Sequence, residues 1–393
     1  MKQLGNVCDV VNGGTPKTGI QQYWSGNHLW ITPAEMGKRL SPYVDDTIRK
    51  ITDLGLQDSS ARMLPPNSVI LSSRAPIGHL VINTKPMATN QGCKGLIPSN
   101  QIQAKFLYYY MGSIVDLLNL LGTGTTFKEL SGSKLKEVPI PVPPLPEQHR
   151  IVRILDEAFA SIATAKANAE ANLRNARAVF DSYLQGVFTQ RGEGWVDKQL
   201  GELVTFRNGI NFTKSSQGES VEIFGVKNFQ ANFWAPLHDL DTVITDGVLP
   251  DSNLLKENDL LFVRSNGNMA LIGRSVLVGE VVSKVTHSGF TIRARLNDEC
   301  LSARYLCHFL KSNTARQKMI DDGIGTNIKS LNQMTLSTLV VPVPPTAEQM
   351  HIADQLEAVD EETHRLTTLY QQKLAALDAL KKSLLHQAFS GQL

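Results

Sequence analysis

Short apolar runs broken by glycine, proline and asparagine set the pattern of this chain. Ser68-Val69-Ile70-Leu71-Ser72 and Asp259-Leu260-Leu261-Phe262-Val263 have the length and composition of buried strands, as do Leu80-Val81-Ile82 and Ser275-Val276-Leu277-Val278. Residues 104–120 and 303–320 each predict a short helix. Two longer stretches follow Pro141-Val142-Pro143-Pro144 and Pro342-Val343-Pro344-Pro345, where proline stiffens the approach and marks a helix boundary. Pro146 suits the first helical position, and Thr346 with Gln349 reads as a capping box. Glu147 and Glu348 sit where the positive end of the helix dipole favours acids.

A seven-residue pattern runs through both stretches. In the first, Ile151, Ala158, Ala165 and Val179 share one phase, and Leu155, Ile162, Ala169, Ala176 and Tyr183 the other. In the second, the phases are Ile352, Val359, Leu366 and Leu380, then Leu356, Tyr370, Leu377 and Leu384. Such repeats predict coiled-coil packing. Asn172 and Lys373 break the pattern at equivalent places, with Leu173 and Leu374 one residue along. A straight helix drifts against a heptad, so those neighbours are expected to take over the seam.

The chain is one plan written twice. Lys2-Gln3-Leu4-Gly5 recurs as Lys198-Gln199-Leu200-Gly201, and Asn12-Gly13 as Asn208-Gly209. From Gly122, matched with Gly323, the offset stays constant to Asp156 and Glu357, and about 14 of those 35 positions are identical. Chance would give roughly two. The expected organisation is a domain over 1–146, a long helix over 147–190, a second domain over 194–347 and a second long helix over 348–393. The fold class is α/β (α+β), with two similar domains and the helices paired antiparallel within one chain about a pseudo-twofold axis. In that arrangement the helices act as a ruler between the domains.

Composition changes this picture little. Hydrophobic content of 42% supports real cores, and a net charge of +2 means that any hold on nucleic acid must come from locally placed Lys and Arg, or from a partner. Cys8, Cys93, Cys300 and Cys307 form no C-x-x-C pair and match no zinc spacing, so they read as reduced thiols in a cytoplasmic protein. The N-terminal residues lack the apolar core of a secretion signal, and no apolar run approaches the roughly 20 residues of a membrane span.

Several strings together point to a family. They are Gly13-Gly14-Thr15-Pro16, Tyr23-Trp24, Trp30-Ile31-Thr32-Pro33, the sequence PVPPLPEQHRIV at 141–152 with its copy PVPPTAEQMHIA at 342–353, and the ending Ala388-Phe389-Ser390-Gly391-Gln392-Leu393. Over essentially its whole length the chain resembles type I restriction–modification specificity subunits. The second half lacks the Gly-Gly-Thr-Pro and Trp-Ile-Thr-Pro strings, as expected where recognition domains vary. The resemblance implies two target-recognition domains that bind an asymmetric, two-part site in double-stranded DNA. It also implies recruitment of two adenine methyltransferase subunits, to which restriction subunits then add. S-adenosylmethionine is expected on the methyltransferase and ATP with Mg on the restriction partner. No cofactor, metal or catalytic centre is expected in this chain, which has neither an Asn-Pro-Pro-Tyr-like pocket nor a Gly-rich cofactor loop. A DNA-binding scaffold without a methyltransferase is the alternative.

Arg and Lys suit guanine, and Asn and Gln suit adenine. Candidate DNA contacts are Lys17, Arg39, Arg74 and Lys94 in the first half, and Arg207, Lys227, Arg264 and Arg274 in the second. For each, a solvated charge or ion pair is the competing reading. Arg74 and Arg264 stand out because each follows an apolar strand and precedes a turn, where a rigid scaffold presents a loop. Segments 122–128 and 323–329 lack the P-loop spacing. They read either as turns that close each domain or as loops whose Lys128 and Lys329 touch phosphate. Trp24, Trp30, Trp195 and Trp234 read as packing residues before base-stacking ones. The helix seam is assigned to Ile151, Leu155, Ile162, Ile352, Leu356, Leu366, Leu377 and Leu384.

Overall fold

The computed structural model describes residues 1–74, 76–124, 128–213, 215–230, 232–298, 300–321 and 330–393. The chain divides into two units, one made of 1–169 with 372–393 and the other of 170–371.

In the first unit a five-stranded sheet runs in the order Cys8–Asn12, Cys93–Pro98, Val69–Ser73, Ile77–Asn83, Tyr43–Val44. Its neighbours pair antiparallel except Tyr43–Val44, which is parallel to Ile77–Asn83. Both faces of the central strand are covered. Val69 and Leu71 join Leu96, Phe106, Leu135 and Ile140 on one side, and Ile70 joins Ile31, Val44 and Val81 on the other. Period-two alternation across two cores explains why the run reads as continuously apolar. A three-stranded sheet runs in the order Arg49–Ile51, Trp24–Ile31, Met87–Thr89, and Lys2–Gln3 pairs with Pro139–Ile140.

The second unit repeats this topology without a counterpart of the parallel edge strand Tyr43–Val44 among its described residues. Val204–Asn208, Thr291–Leu296, Leu260–Val263 and Ser275–Leu277 form a four-stranded antiparallel sheet. Asp241–Ile244, Ser220–Phe224 and Val285–His287 form the three-stranded one, and Val196–Gln199 pairs with Val340–Val343. Leu260 and Phe262 face one core, Leu261 and Val263 the other.

Each expected short helix is two. Ala104–Ser113 and Val115–Leu121 are separated at Ile114, whose ψ is 18°, and the Ser113 hydroxyl donates back to Tyr110 O at 2.7 Å. Ala303–Lys311 and Asn313–Asp321 are separated at Ser312, whose ψ of 148° is extended and whose hydroxyl accepts from Ala315 N at 3.3 Å. Serine side chains that bond the nearby backbone interrupt a helix without interrupting its apolar period.

The long helices are Leu145–Thr189 and Thr346–Ser390. The Thr346–Gln349 capping box does not form. The Gln349 side chain instead donates to Pro344 O at 2.9 Å and to Cys300 O at 3.2 Å, and accepts from Ser302 N at 2.7 Å. Gln148 does the same in the first unit, donating to Pro143 O and Gln101 O and accepting from Gln103 N at 2.8 Å. Both glutamines are buried. The repeated Glu-Gln therefore clamps the start of each long helix to the start of a domain helix.

Within the first unit, the two helix segments run antiparallel: Arg150 donates to Leu393 O at 2.8 Å, and Lys166 pairs with Asp378 at 2.8 Å. Ile151, Leu155, Ile162 and Ala169 are buried, and Leu377 and Leu384 partly so. In the second unit Ile352, Leu356, Leu184 and Phe188 share one core, while Leu366 is half-buried. Asn172 and Lys373 are exposed and Leu173 and Leu374 partly covered, as the drift of a straight helix requires. The drift continues beyond them. Val179 and Leu380, on the original phase, are 58% and 47% exposed, and Phe180 packs in place of Val179.

Candidate nucleic-acid interface

In the first unit, four separate strings of the sequence meet at one edge of the domain. The turn after Cys8–Asn12 passes so close to its neighbours that a Cβ on Gly13 would lie 1.9 Å from Asn90 O, and one on Gly14 2.2 Å from Ala61 N. Only glycine fits such an approach. The turn is fixed by Gly14 N donating to Thr89 O at 2.9 Å and by the buried Trp30 indole donating to Gly14 O at 2.9 Å. Asn90 donates to Thr15 Oγ1 at 2.9 Å, and its Oδ1 accepts from Gly92 N at 2.8 Å. Ser73 N in turn donates to Gly92 O at 2.8 Å, which brings the end of Val69–Ser73 to the same place.

Arg74 follows that strand and is exposed. Its backbone bridges Glu129, which also pairs with Thr123, so the loop that carries the exposed Lys128 closes beside it. Lys17 is exposed, and its carbonyl accepts from the Trp24 indole at 3.3 Å. Arg39 is turned inward: it pairs with the buried Glu35 at 2.8 Å and also donates to Asp46 O, which ties a short helix to the following loop. Lys94 corrects the expectation. It is 6% exposed in a strand covered on both sides, paired in register with Asn12 and Leu71, and is closed off from a DNA surface. Its structural counterpart is Ile292, the partner of Asn208 in the second unit, so this is a core position of the repeat.

The second unit builds the same edge with other side chains. A Cβ on Gly209 would lie 2.1 Å from Ser288 O, and Ile210 N donates to His287 O at 2.8 Å. Arg264 N donates to Phe290 O, and Arg264 O accepts from Leu331 N, the bonds that Ser73 makes in the first unit. Arg264 thus occupies the place of Ser73, and Ser265 that of Arg74. The Arg264 guanidinium is half-buried and donates to Gly289 O at 3.3 Å. Arg274 holds Gln230 O at 2.7 Å and Ala270 O at 3.3 Å. Lys227 is exposed but paired with Asp241 at 2.5 Å. Arg207 lies opposite Arg293 in the sheet. Lys329 lies outside the described residues.

At the end of the strand Leu260–Val263 opposite Arg264, Asp259 is fully buried and accepts from both Nε and Nη2 of Arg295 at 2.7 Å, with Arg293 Nε at 4.0 Å. Two arginines share this one carboxylate, so the cluster keeps a net positive charge. Residues at the edge that sequence reading passed over are Asn90 and Gln91, and Arg49, whose guanidinium lies 3.7 Å from the centre of the Trp24 ring. Trp195 donates to Glu348 at 2.9 Å in a packing role, while Trp234 is 46% exposed beside a cleft of about 1030 Å³ lined also by Phe180, His308, Lys311, Asp360 and His364. Among the described residues no three His, Cys, Asp or Glu side chains are grouped to hold a metal ion, and no helix is long and apolar enough to cross a membrane.

Two segments of the chain, 1–173 and 192–376, match the family model of the type I restriction modification DNA specificity domain. The MjaIX specificity subunit of Methanocaldococcus jannaschii is 26% identical, over 89% of this chain and 84% of its own length. A solved chain described under complex assembly and conformational transition of the type I R-M system superposes with a TM-score of 0.77 at 17% identity, covering all of this chain and 97% of that one. The HsdS subunit from Thermoanaerobacter tengcongensis gives 0.67 at 17% identity, covering all of this chain and 96% of its own.

Proposed function

The chain belongs to the type I restriction modification DNA specificity family, and from that premise we propose that each unit reads one half of a two-part, asymmetric site in double-stranded DNA. One observation carries this reading. The same order of four strands and the same glycine-tight turn occur twice, yet equivalent edge positions bear different chemistry: Ser73 and Arg74 in one unit, Arg264 and Ser265 in the other. A duplicated frame with unlike edges suits two unlike half-sites. Arg74 and Lys128, exposed and adjacent, are the basic residues best placed for contact in the first unit, with Lys17 near the same turn. Arg264 contributes through a guanidinium already anchored to Gly289.

In this reading the chain performs no chemistry. Methyl transfer to adenine belongs to two methyltransferase subunits that carry S-adenosylmethionine, and cleavage to restriction subunits that use ATP and Mg. The chain supplies the address and the platform on which they assemble.

The test is to co-express the chain with its methyltransferase in a host free of adenine methylation and to map modified adenines across the genome. A motif in two parts is expected. Replacing residues 1–146 by the equivalent domain of a relative should rewrite one part and leave the other intact. Methylation at a single undivided motif, or a swap that changes both parts, would refute the reading.

A further inference from the structure

Arg49 is exposed at the start of the strand Arg49–Ile51, and no acid or carbonyl among the described residues takes up its guanidinium. Its neighbours differ in this respect, since Lys50 is neutralised by Asp46 at 3.0 Å and Asp53 is engaged by His28 at 2.7 Å. The guanidinium is nevertheless not loose. It lies 3.7 Å from the centre of the Trp24 ring and 5.1 Å from that of Trp30, and the two indoles pack edge to face with centroids 5.1 Å apart. Trp30 is 1% exposed and fixed at both ends, its backbone N donating to Thr47 Oγ1 and its indole to Gly14 O. Trp24 is tied in turn to the Lys17 carbonyl. An arginine fork is therefore held on an aromatic stack, and that stack is pinned to the glycine-tight turn of the proposed interface.

Such an arrangement has a chemical consequence. An aromatic face attracts a cation without consuming its N–H donors, so the fork stays free to donate while its side chain is already ordered. The backbone around it is equally constrained. Ser25 adopts φ 62°, and a Cβ on Gly26 would lie 2.5 Å from Ile51 O, so the segments 24–26 and 47–50 form a shaped hollow with Arg49 on its wall. A point charge for a phosphate would need none of this ordering; an oriented planar fork matches the paired O6 and N7 acceptors of guanine.

We propose that Arg49 is a specificity-determining residue of the first unit, donating both arms of its fork to a guanine in the major groove, with Trp24 as its positioning residue. This rests on the reading of the unit as a half-site reader.

The test uses the full chain with its methyltransferase and three variants, Arg49→Ala, Arg49→Lys and Trp24→Leu, the last also combined with Arg49→Ala. Methylated motifs are mapped genome-wide, and binding is measured on the parental duplex and on duplexes with single base-pair changes over a range of salt. Both Arg49 variants should relax one G·C position in the half-site read by residues 1–146. Each should bind the parental duplex about 5- to 150-fold more weakly, while differing little from the parent on a duplex already changed at that position. Because Arg49 is exposed, their melting temperatures should match the parent. Trp24→Leu should add nothing to Arg49→Ala; a further loss would remove Trp24 from the positioning role. If Arg49→Lys behaves as the parent while Arg49→Ala weakens all duplexes alike with a shallower salt slope, the contact is to phosphate and the assignment is wrong. A defined parental motif unchanged in both variants would also overturn it. A parent complex that methylates no defined sequence would instead sink the half-site reading itself.

Discussion

Leu155→Ala and Leu380→Ala make a matched pair in the first unit. Both leucines fall on the seven-residue pattern, but Leu155 is fully buried in the core with Ile151, Phe106 and Ala388, whereas Leu380 is 47% exposed. Truncating Leu155 removes three buried carbons, about 2.5 kcal/mol at ~0.8 kcal/mol each. The cavity left behind raises the cost to about 3–5 kcal/mol. Leu380 has roughly half as much contact to lose and opens directly to solvent, so its truncation should cost under about 1 kcal/mol. Amide hydrogen exchange of the full chain reads this out in the slowest amides of Val69–Ser73, whose opening reports the stability of the unit. Leu155→Ala should speed their exchange by about 100-fold or more, and Leu380→Ala by less than about 5-fold. Equal effects would show that the seam keeps the heptad phase and that its one-residue drift is unimportant.

Two further outcomes follow from the same geometry. Burial holds His287 and His308 down at about 3, helped by Arg293 beside the first and Lys311 beside the second; Glu357, 3.9 Å from His308, is taken up by the Arg304 fork. The unfolded chain takes up these protons near pH 6.5, so the stability of the second unit should be complete above that pH and fall between 6.5 and 3, by up to ~1.4 kcal/mol per pH unit for each ring. Urea unfolding followed through Trp195 and Trp234, with Trp24 and Trp30 replaced, measures it; His308→Phe should flatten the slope, and an unchanged slope would mean that this ring protonates in the folded state. In the first unit, Gly14→Ala forces a methyl against Ala61 N and should cost about 1–3 kcal/mol or more, while Gly19→Ala, with nothing within 4 Å, should melt with the parent; similar melting of both would contradict the close approach.

The duplicated plan was legible because its signals are local: proline at a helix start, apolar runs of strand length, identities at constant offset. The helix breaks were not, since the apolar period of 104–120 and 303–320 runs straight through Ile114 and Ser312. Lys94 misled because its strand is enclosed on both sides, a fact of the packing of two sheets that alternation within Cys93–Pro98 does not reveal. Arg264 and Arg74 looked alike in the sequence, and only the ladder partners show that they differ by one position and therefore in exposure. Arg49 carried no signal at all. Its contact with Trp24 depends on the antiparallel pairing of Trp24–Ile31 with Arg49–Ile51, in which Trp30 faces Arg49. The repeated Gln148 and Gln349 were visible, but what they clamp lies some 47 residues away in each copy.

The composition of the two units sets an order of events during synthesis. The second unit is one continuous stretch, 170–371, whereas the first needs residues 372–393 to cover Phe106 and Tyr110 with Phe389 and to bury Ala388 beside them. A ribosome makes the five-stranded sheet of the first unit early and its last helical segment more than two hundred residues later, so the most sequence-distant contacts, such as Arg150 with Leu393, form last. Until then an apolar groove on the first unit stays open to chaperones or to a partner's helix. The first-made half of the protein is thus the last to be finished: nascent chains stalled just after residue 371 should hold every residue of the second unit while the first still waits, unsealed, for residues 372–393.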